Sequence, residues 1–131
     1  MGSDITYESL GNNQYRVTLT FYRDCSGIPA DITALLQVYS QSNCAPAFST
    51  LLTQVPGTGQ EITPICPTDT STCRGGRFTG IQEYQYTGII TMPANCSDWV
   101  LAYDLCCRNA AITTISNPSG RDIFVYAFLN N

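Results

Sequence analysis

Apolar and polar residues alternate singly along most of the chain, the period of two that marks half-buried β-strands. Residues 14 to 24, QYRVTLTFYRD, show it best, with Tyr15, Val17, Leu19 and Phe21 on one face and Arg16, Thr18, Thr20 and Tyr22 on the other. Asp4 to Leu10 alternates as well and places Ile5, Tyr7 and Ser9 together, facing inward. Gly11-Asn12-Asn13 separates the two runs and tolerates positive φ, so they predict a hairpin. Further strands are predicted over Thr33 to Gln41, Phe48 to Val55, Ile81 to Met92, Asp98 to Cys107 and Asp122 to Asn130, with Asn109 to Ile115 as a short continuation. Pro56-Gly57, Pro93 and Asn117-Pro118-Ser119-Gly120 supply the stops. Only Ile28 to Leu36 could hold a turn of helix.

Seven or eight short strands with turn signals about every 8–12 residues predict an all-β fold, a single antiparallel two-sheet β-sandwich, Ig-like or related. Inward positions include Tyr84, Tyr86, Ile90 and Met92 on one strand and Trp99, Leu101, Tyr103 and Leu105 on another. Residues 57 to 80 form the one long irregular stretch and read as a surface loop pinned by a disulfide. Met1-Gly2-Ser3 reads as a start added for expression, with any native leader removed, and residues 4–131 as one domain.

Seven cysteines turn this pattern into a stapled domain: Cys25, Cys44, Cys66, Cys73, Cys96, Cys106 and Cys107. With no paired C-x-x-C units and no histidine, disulfides formed in an oxidising compartment are favoured over zinc. Cys66 and Cys73 bracket a run of turn formers and are the first pair expected. Cys25 and Cys107 fall on core faces and would join if their strands face each other. Cys44 and Cys96 lie in loops and would pair with each other or with Cys106. A bond between adjacent Cys106 and Cys107 needs an eight-membered ring, so separate partners are expected for each. Six cysteines already allow 15 connectivities. The odd count leaves one thiol over, and three disulfides are expected.

Charge and composition narrow the chemistry. Six cations against ten acids give a net charge of −4, which argues against a nucleic-acid partner. No apolar run reaches the roughly 18 residues that a membrane helix requires. The absence of histidine and lysine removes Ser-His, Cys-His, metal-histidine and Schiff-base machinery, and the scattered acids form no glycosidase pair. No catalytic residue and no metal ligand is therefore assigned, and no cofactor is expected. Calcium held by Asp69, Asp98 or Asp122 is the weaker alternative, since no D-x-D-x-D-G loop accompanies them. Asp104 interrupts an apolar strand and is expected either to face outward or to form an ion pair with Arg23 or Arg108 that fixes the strand ends. Of the aromatics, Trp99, Tyr15, Tyr84, Tyr86 and Tyr103 lie on core faces, whereas Tyr22, Tyr39 and Tyr126 are the candidates for an exposed binding surface.

Four stretches, ITYESLGNNQYRVTLTFYRDCSG, PGTGQE, GIQEYQYTGIITMP and CSDWVLAYDLCCRNAAIT, together resemble a cysteine-rich β domain found near the mature N-terminus of large secreted Bacteroidetes surface proteins. Those proteins continue into PKD-type repeats and end in a gliding-motility-associated, type IX secretion sorting domain. The resemblance covers almost the whole chain and implies an extracellular or cell-surface module; it supplies no biochemical activity. It also implies cysteine at position 9, where this chain has serine, which would leave one partner cysteine orphaned. The expectation is a non-catalytic structural or adhesion module of a larger secreted protein, partnered by its own further domains or by a surface glycan or protein. A glycan-binding domain is the first alternative. The second is a subunit of an extracellular filament, joined through a spare thiol or a strand edge.

Overall fold

A computed structural model describes residues 2–108 and 112–131. Eight strands follow one another: β1 (Gly2–Gly11), β2 (Gln14–Asp24), β3 (Thr33–Ser40), β4 (Phe48–Gln54), β5 (Gln60–Glu61), β6 (Ile81–Thr91), β7 (Trp99–Leu105) and β8 (Ile123–Leu129). The expected antiparallel all-β domain is present. Its strands join one sheet, in the order β1-β2-β6-β4-β3-β7-β8, with β5 continuing along the β6 edge beside β4. The sheet curls until its two end strands, β1 and β8, come into contact, so it is nearly closed into a barrel. The Tyr7 hydroxyl donates to the Phe128 carbonyl across that seam, at 2.7 Å.

The local chemistry explains most boundaries. The hairpin joining β1 to β2 turns on Asn12 and Asn13, at φ 52° and 58°, left-handed values that asparagine tolerates better than most residues. Val17, Leu19 and Phe21 then enter the core from β2, Leu36 and Val38 from β3, Leu52 from β4, Tyr86 and Ile90 from β6, and Trp99, Leu101 and Tyr103 from β7. Gly88 on β6 makes room for this packing. A Cβ there would stand 2.9 Å from Leu52 Cδ2.

Several expectations are corrected. Ile5 is buried, but Tyr7 and Ser9 are exposed, because β1 is an end strand and its second half runs beyond the core. Ser9 lies by the hairpin turn, opposite Tyr15, whereas Cys66 follows a segment bonded to Ile81, opposite Asp24. About 30 Å of β2 separates these levels, at a strand's rise per residue, so Ser9 does not mark the place of a partner for Cys66. Residues 112–115 are not strand, and residues 109–111 of the expected continuation lie outside the described residues. The Ile28 to Leu36 segment holds no helical turn. Asp104 faces outward, the first of its two expected alternatives, and Arg23 bonds elsewhere, so these two form no ion pair. The Arg108 guanidinium donates through Nε to the Asp122 carbonyl.

Candidate functional site

Three disulfides form, the bonds of an oxidising environment, and their pairing corrects three expectations. Cys25 joins Cys73, with Cα atoms 5.0 Å apart, in place of the expected Cys66–Cys73 and Cys25–Cys107 bonds. The reason is placement. The Cys25 N–H donates to the Gly80 carbonyl, and Gly80 lies so close to the Cys73 sulfur that any side chain there would collide with it. Cys44 joins Cys96 (Cα atoms 6.1 Å apart), one of the pairings left open by the sequence. Cys106 and Cys107 join each other, against expectation. Strand β7 ends at Leu105, so strand alternation no longer governs the two cysteines, and Cys107 turns the chain at φ 79°. Cys66 is the free thiol, and it is exposed.

The vicinal disulfide forms one wall of a cavity of about 370 Å³ at the barrel end away from the β1–β2 turn. Inward alternation brings Phe21, Tyr86, Tyr103 and Leu105 to this end as an apolar floor. Another wall is the 24–31 loop, which the sequence marks with Gly27 and Pro29 and which is fixed at several points. The Arg23 guanidinium donates to the carbonyls of Ile28 (2.6 Å) and Gly27 (2.9 Å) and to Gln82 Oε1 (2.7 Å). Asp24 Oδ1 accepts from the Ser26 N–H and hydroxyl, the local turn that short carboxylates favour. Tyr86 donates its hydroxyl to the Asp31 carbonyl at 2.7 Å. The cavity is thus largely preformed.

Tyr103 has a different status. It is 8 % exposed, and its hydroxyl makes no hydrogen bond among the described residues. No buried side-chain oxygen or nitrogen among them lacks a partner, so this hydroxyl keeps contact with solvent. Burial, with smaller contributions from Tyr86, Asp31 and Asp104, pushes its pKa up to about 12. The folded value lies above the unfolded one near 10, so the stability linked to this phenol is intact below pH ~10 and lost as pH rises through about 12. The unfolding midpoint should fall across that window, and fall less in Tyr103→Phe. Superimposable alkaline profiles for the two proteins would contradict the assignment.

A second surface lies on the outside of the sheet. Phe124, Tyr126 and Phe128 all point outward from β8, each just over half exposed, with adjacent ring centroids 5.8 and 5.3 Å apart. Register places Tyr39, Val100 and Phe128 in one row and Gln37, Ala102 and Tyr126 in the next. The small residues of β7 therefore form a floor, fully covered by the larger side chains beside them. Tyr126 is exposed as expected; Tyr39 is half-buried on the same face, and Tyr22 is half-buried on β2, away from it. Phe124 and Phe128 escaped the sequence reading, although they share the strand parity of Tyr126. Trp99, Tyr86 and Tyr103 are buried, and Tyr15 and Tyr84 pack half-buried against the core.

The acids considered for calcium stand apart. Asp98 sits at the β1–β2 turn end, where Ser40 and Ser42 donate to its carboxylate and hold it below the usual range. Asp122 borders β8 at the other end, and Asp69 lies in the 57–80 loop. No group of three metal-type ligands occurs among the described residues. In that loop the buried Ser71 hydroxyl donates to Glu61, which also accepts from Arg74 at 3.1 Å, and Ser71 accepts from the Cys73 N–H. The Ser71 bond is the main cause of the lowered Glu61 pKa. The cluster ties the loop to β5 beside the Cys25–Cys73 bond. The chain matches no family model, no curated protein and no solved structure.

Proposed function

We propose that the domain is a non-catalytic, extracellular or cell-surface structural and adhesion module of a larger secreted protein. The observation that carries this reading is the ladder of Phe124, Tyr126 and Phe128, an apolar outer face on a domain whose core is already complete without it. Large exposed rings cost solubility unless something covers them, and aromatic residues dominate the binding energy of protein contacts. The three disulfides and the low content of charged side chains, 12 %, suit a secreted protein. We read the curled sheet as sandwich-like, with the β1-β2-β6 and β3-β7-β8 groups acting as the two layers. The partner we infer is a neighbouring domain of the same parent protein, in line with the secreted multidomain proteins that the sequence resembles.

The test is binding of the isolated domain to the remaining domains of its parent, compared with a variant carrying Phe124→Ser, Tyr126→Ser and Phe128→Ser. The substitutions are on the surface, so the fold should persist while binding weakens at least ~100-fold, as loss of several interface anchors does. Equal binding by both proteins would overturn the docking role. The filament reading is favoured by one observation, the exposed Cys66 thiol.

A further inference from the structure

The end cavity has a composition that a structural module does not require. Its floor and one wall are apolar plates, the rings of Phe21, Tyr86 and Tyr103 and the Cys106–Cys107 disulfide. Its charged lining residues are Arg23 and Arg108 against Asp24 and Asp31, which balance. Arg23 is spent on carbonyl and amide oxygens of the protein itself. Tyr103 brings a hydroxyl that still faces solvent, and Ser26 and Ser119 lie on the lining. The volume falls at the lower end of the roughly 300–1,000 Å³ typical of small-molecule sites, room for a ring or two.

We propose that this cavity binds a neutral, hydroxylated ring: the terminal pyranose of a glycan. A pyranose has one face of C–H groups and a rim of hydroxyls, and the cavity offers apolar plates with donors and acceptors around them. A charged ring would lose its hydration to a lining that carries both signs in equal number, so its charge gains no net complement. A purely apolar ring would leave the Tyr103 hydroxyl dehydrated and unpaired. The site is formed before the ligand arrives, since the 24–31 wall is already bonded to Arg23, Asp24 and Tyr86, which lowers the cost of ordering. It stands at the barrel end, apart from the ladder on β8, and does not rest on the docking role.

Saturation-transfer NMR with methyl pyranosides of neutral hexoses tests this, using methyl glucuronoside and phenol as controls. At least one neutral glycoside should receive saturation, strongest at its ring C–H protons, with millimolar affinity. Ile28→Trp, at a rim residue that is 78 % exposed, should fill the mouth without disturbing the core and abolish the transfer. Tyr103→Phe, which removes only the hydroxyl, should weaken binding about tenfold, as loss of one hydrogen bond does. The triple β8 variant should bind as wild type does. No transfer to any neutral glycoside, preference for the glucuronoside or phenol, or transfer unchanged by both cavity substitutions would each overturn the proposal. Loss of transfer in the β8 variant alone would overturn it too, and would move sugar binding to the outer face.

Discussion

Reduction of the two long-range disulfides lowers the stability of the domain by roughly 4–8 kcal/mol and its Tm by roughly 15–30 °C. Cys25–Cys73 and Cys44–Cys96 span 48 and 52 residues, and each restricts a large share of the unfolded chain. The chain order 25, 44, 73, 96 interlaces the two loops, so cutting one leaves the other still constraining the same segment, and the second cut should cost more than the first. A domain of this size holds only about 5–15 kcal/mol in all, so full reduction should bring it close to unfolding. Cys106–Cys107 closes a ring between adjacent residues and removes almost no chain entropy. Replacing both by serine should leave Tm within a few degrees. Denaturant unfolding with and without reductant, alongside thiol titration, checks this; a reduced protein with seven titratable thiols and an unchanged midpoint would contradict it.

Trp99→Ala should cost roughly 3–5 kcal/mol, the range for removing a large aromatic from a core. Trp99 is fully buried, meets Phe48 edge-on at 6.4 Å between centroids, and donates its indole N–H to Asn131 Oδ1 at 3.1 Å. The same oxygen accepts from the Cys96 N–H, and the Asn131 amide donates to the Ala94 carbonyl. The indole therefore also anchors the segment that carries the Cys44–Cys96 bond. Trp99→Phe keeps most of the volume and loses the hydrogen bond, so about 1–2 kcal/mol is expected. Urea unfolding of the two variants separates packing from polar loss. A cost under about 1 kcal/mol for Trp99→Ala would contradict a core role.

How much of this was legible depended on how local the signal was. Alternation from Tyr15 to Phe21 and from Trp99 to Tyr103 found the strands and their inward faces, because side-chain parity follows directly from the pleat. Asn12-Asn13 announced the hairpin for an equally local reason. The cysteine map was not legible, since Cys25 and Cys73 meet only once β2 and the 57–80 loop have been placed at one end of the barrel. Sequence proximity favoured Cys66 for Cys73, the eight-membered ring disfavoured the adjacent pair, and both inferences failed where the chain leaves regular strand. The cavity was hidden for a related reason. Tyr86 and Tyr103 read as core, which they are, but parity says nothing of whether a core layer is capped or left open at the barrel's end. In the same way, one continuous sheet and two separate layers leave the same alternation in the sequence; only the order of neighbouring strands tells them apart.

The path of the chain has a mechanical consequence. Gly2 pairs with Tyr22 near the cavity, whereas Asn131 bonds to Cys96 at the opposite end, so the start of β1 and the end of β8 lie at opposite ends of the barrel. Tension between those points pulls β1 lengthwise along β2, and β8 lengthwise along β7. Both ladders are then loaded in shear, with all their hydrogen bonds resisting together instead of parting one by one like a zip. If the sheet did yield, the interlaced disulfides would still hold most of residues 25 to 96 back from extension. Under such a load the domain would be expected to extend little before its ladders yield, which force spectroscopy would measure.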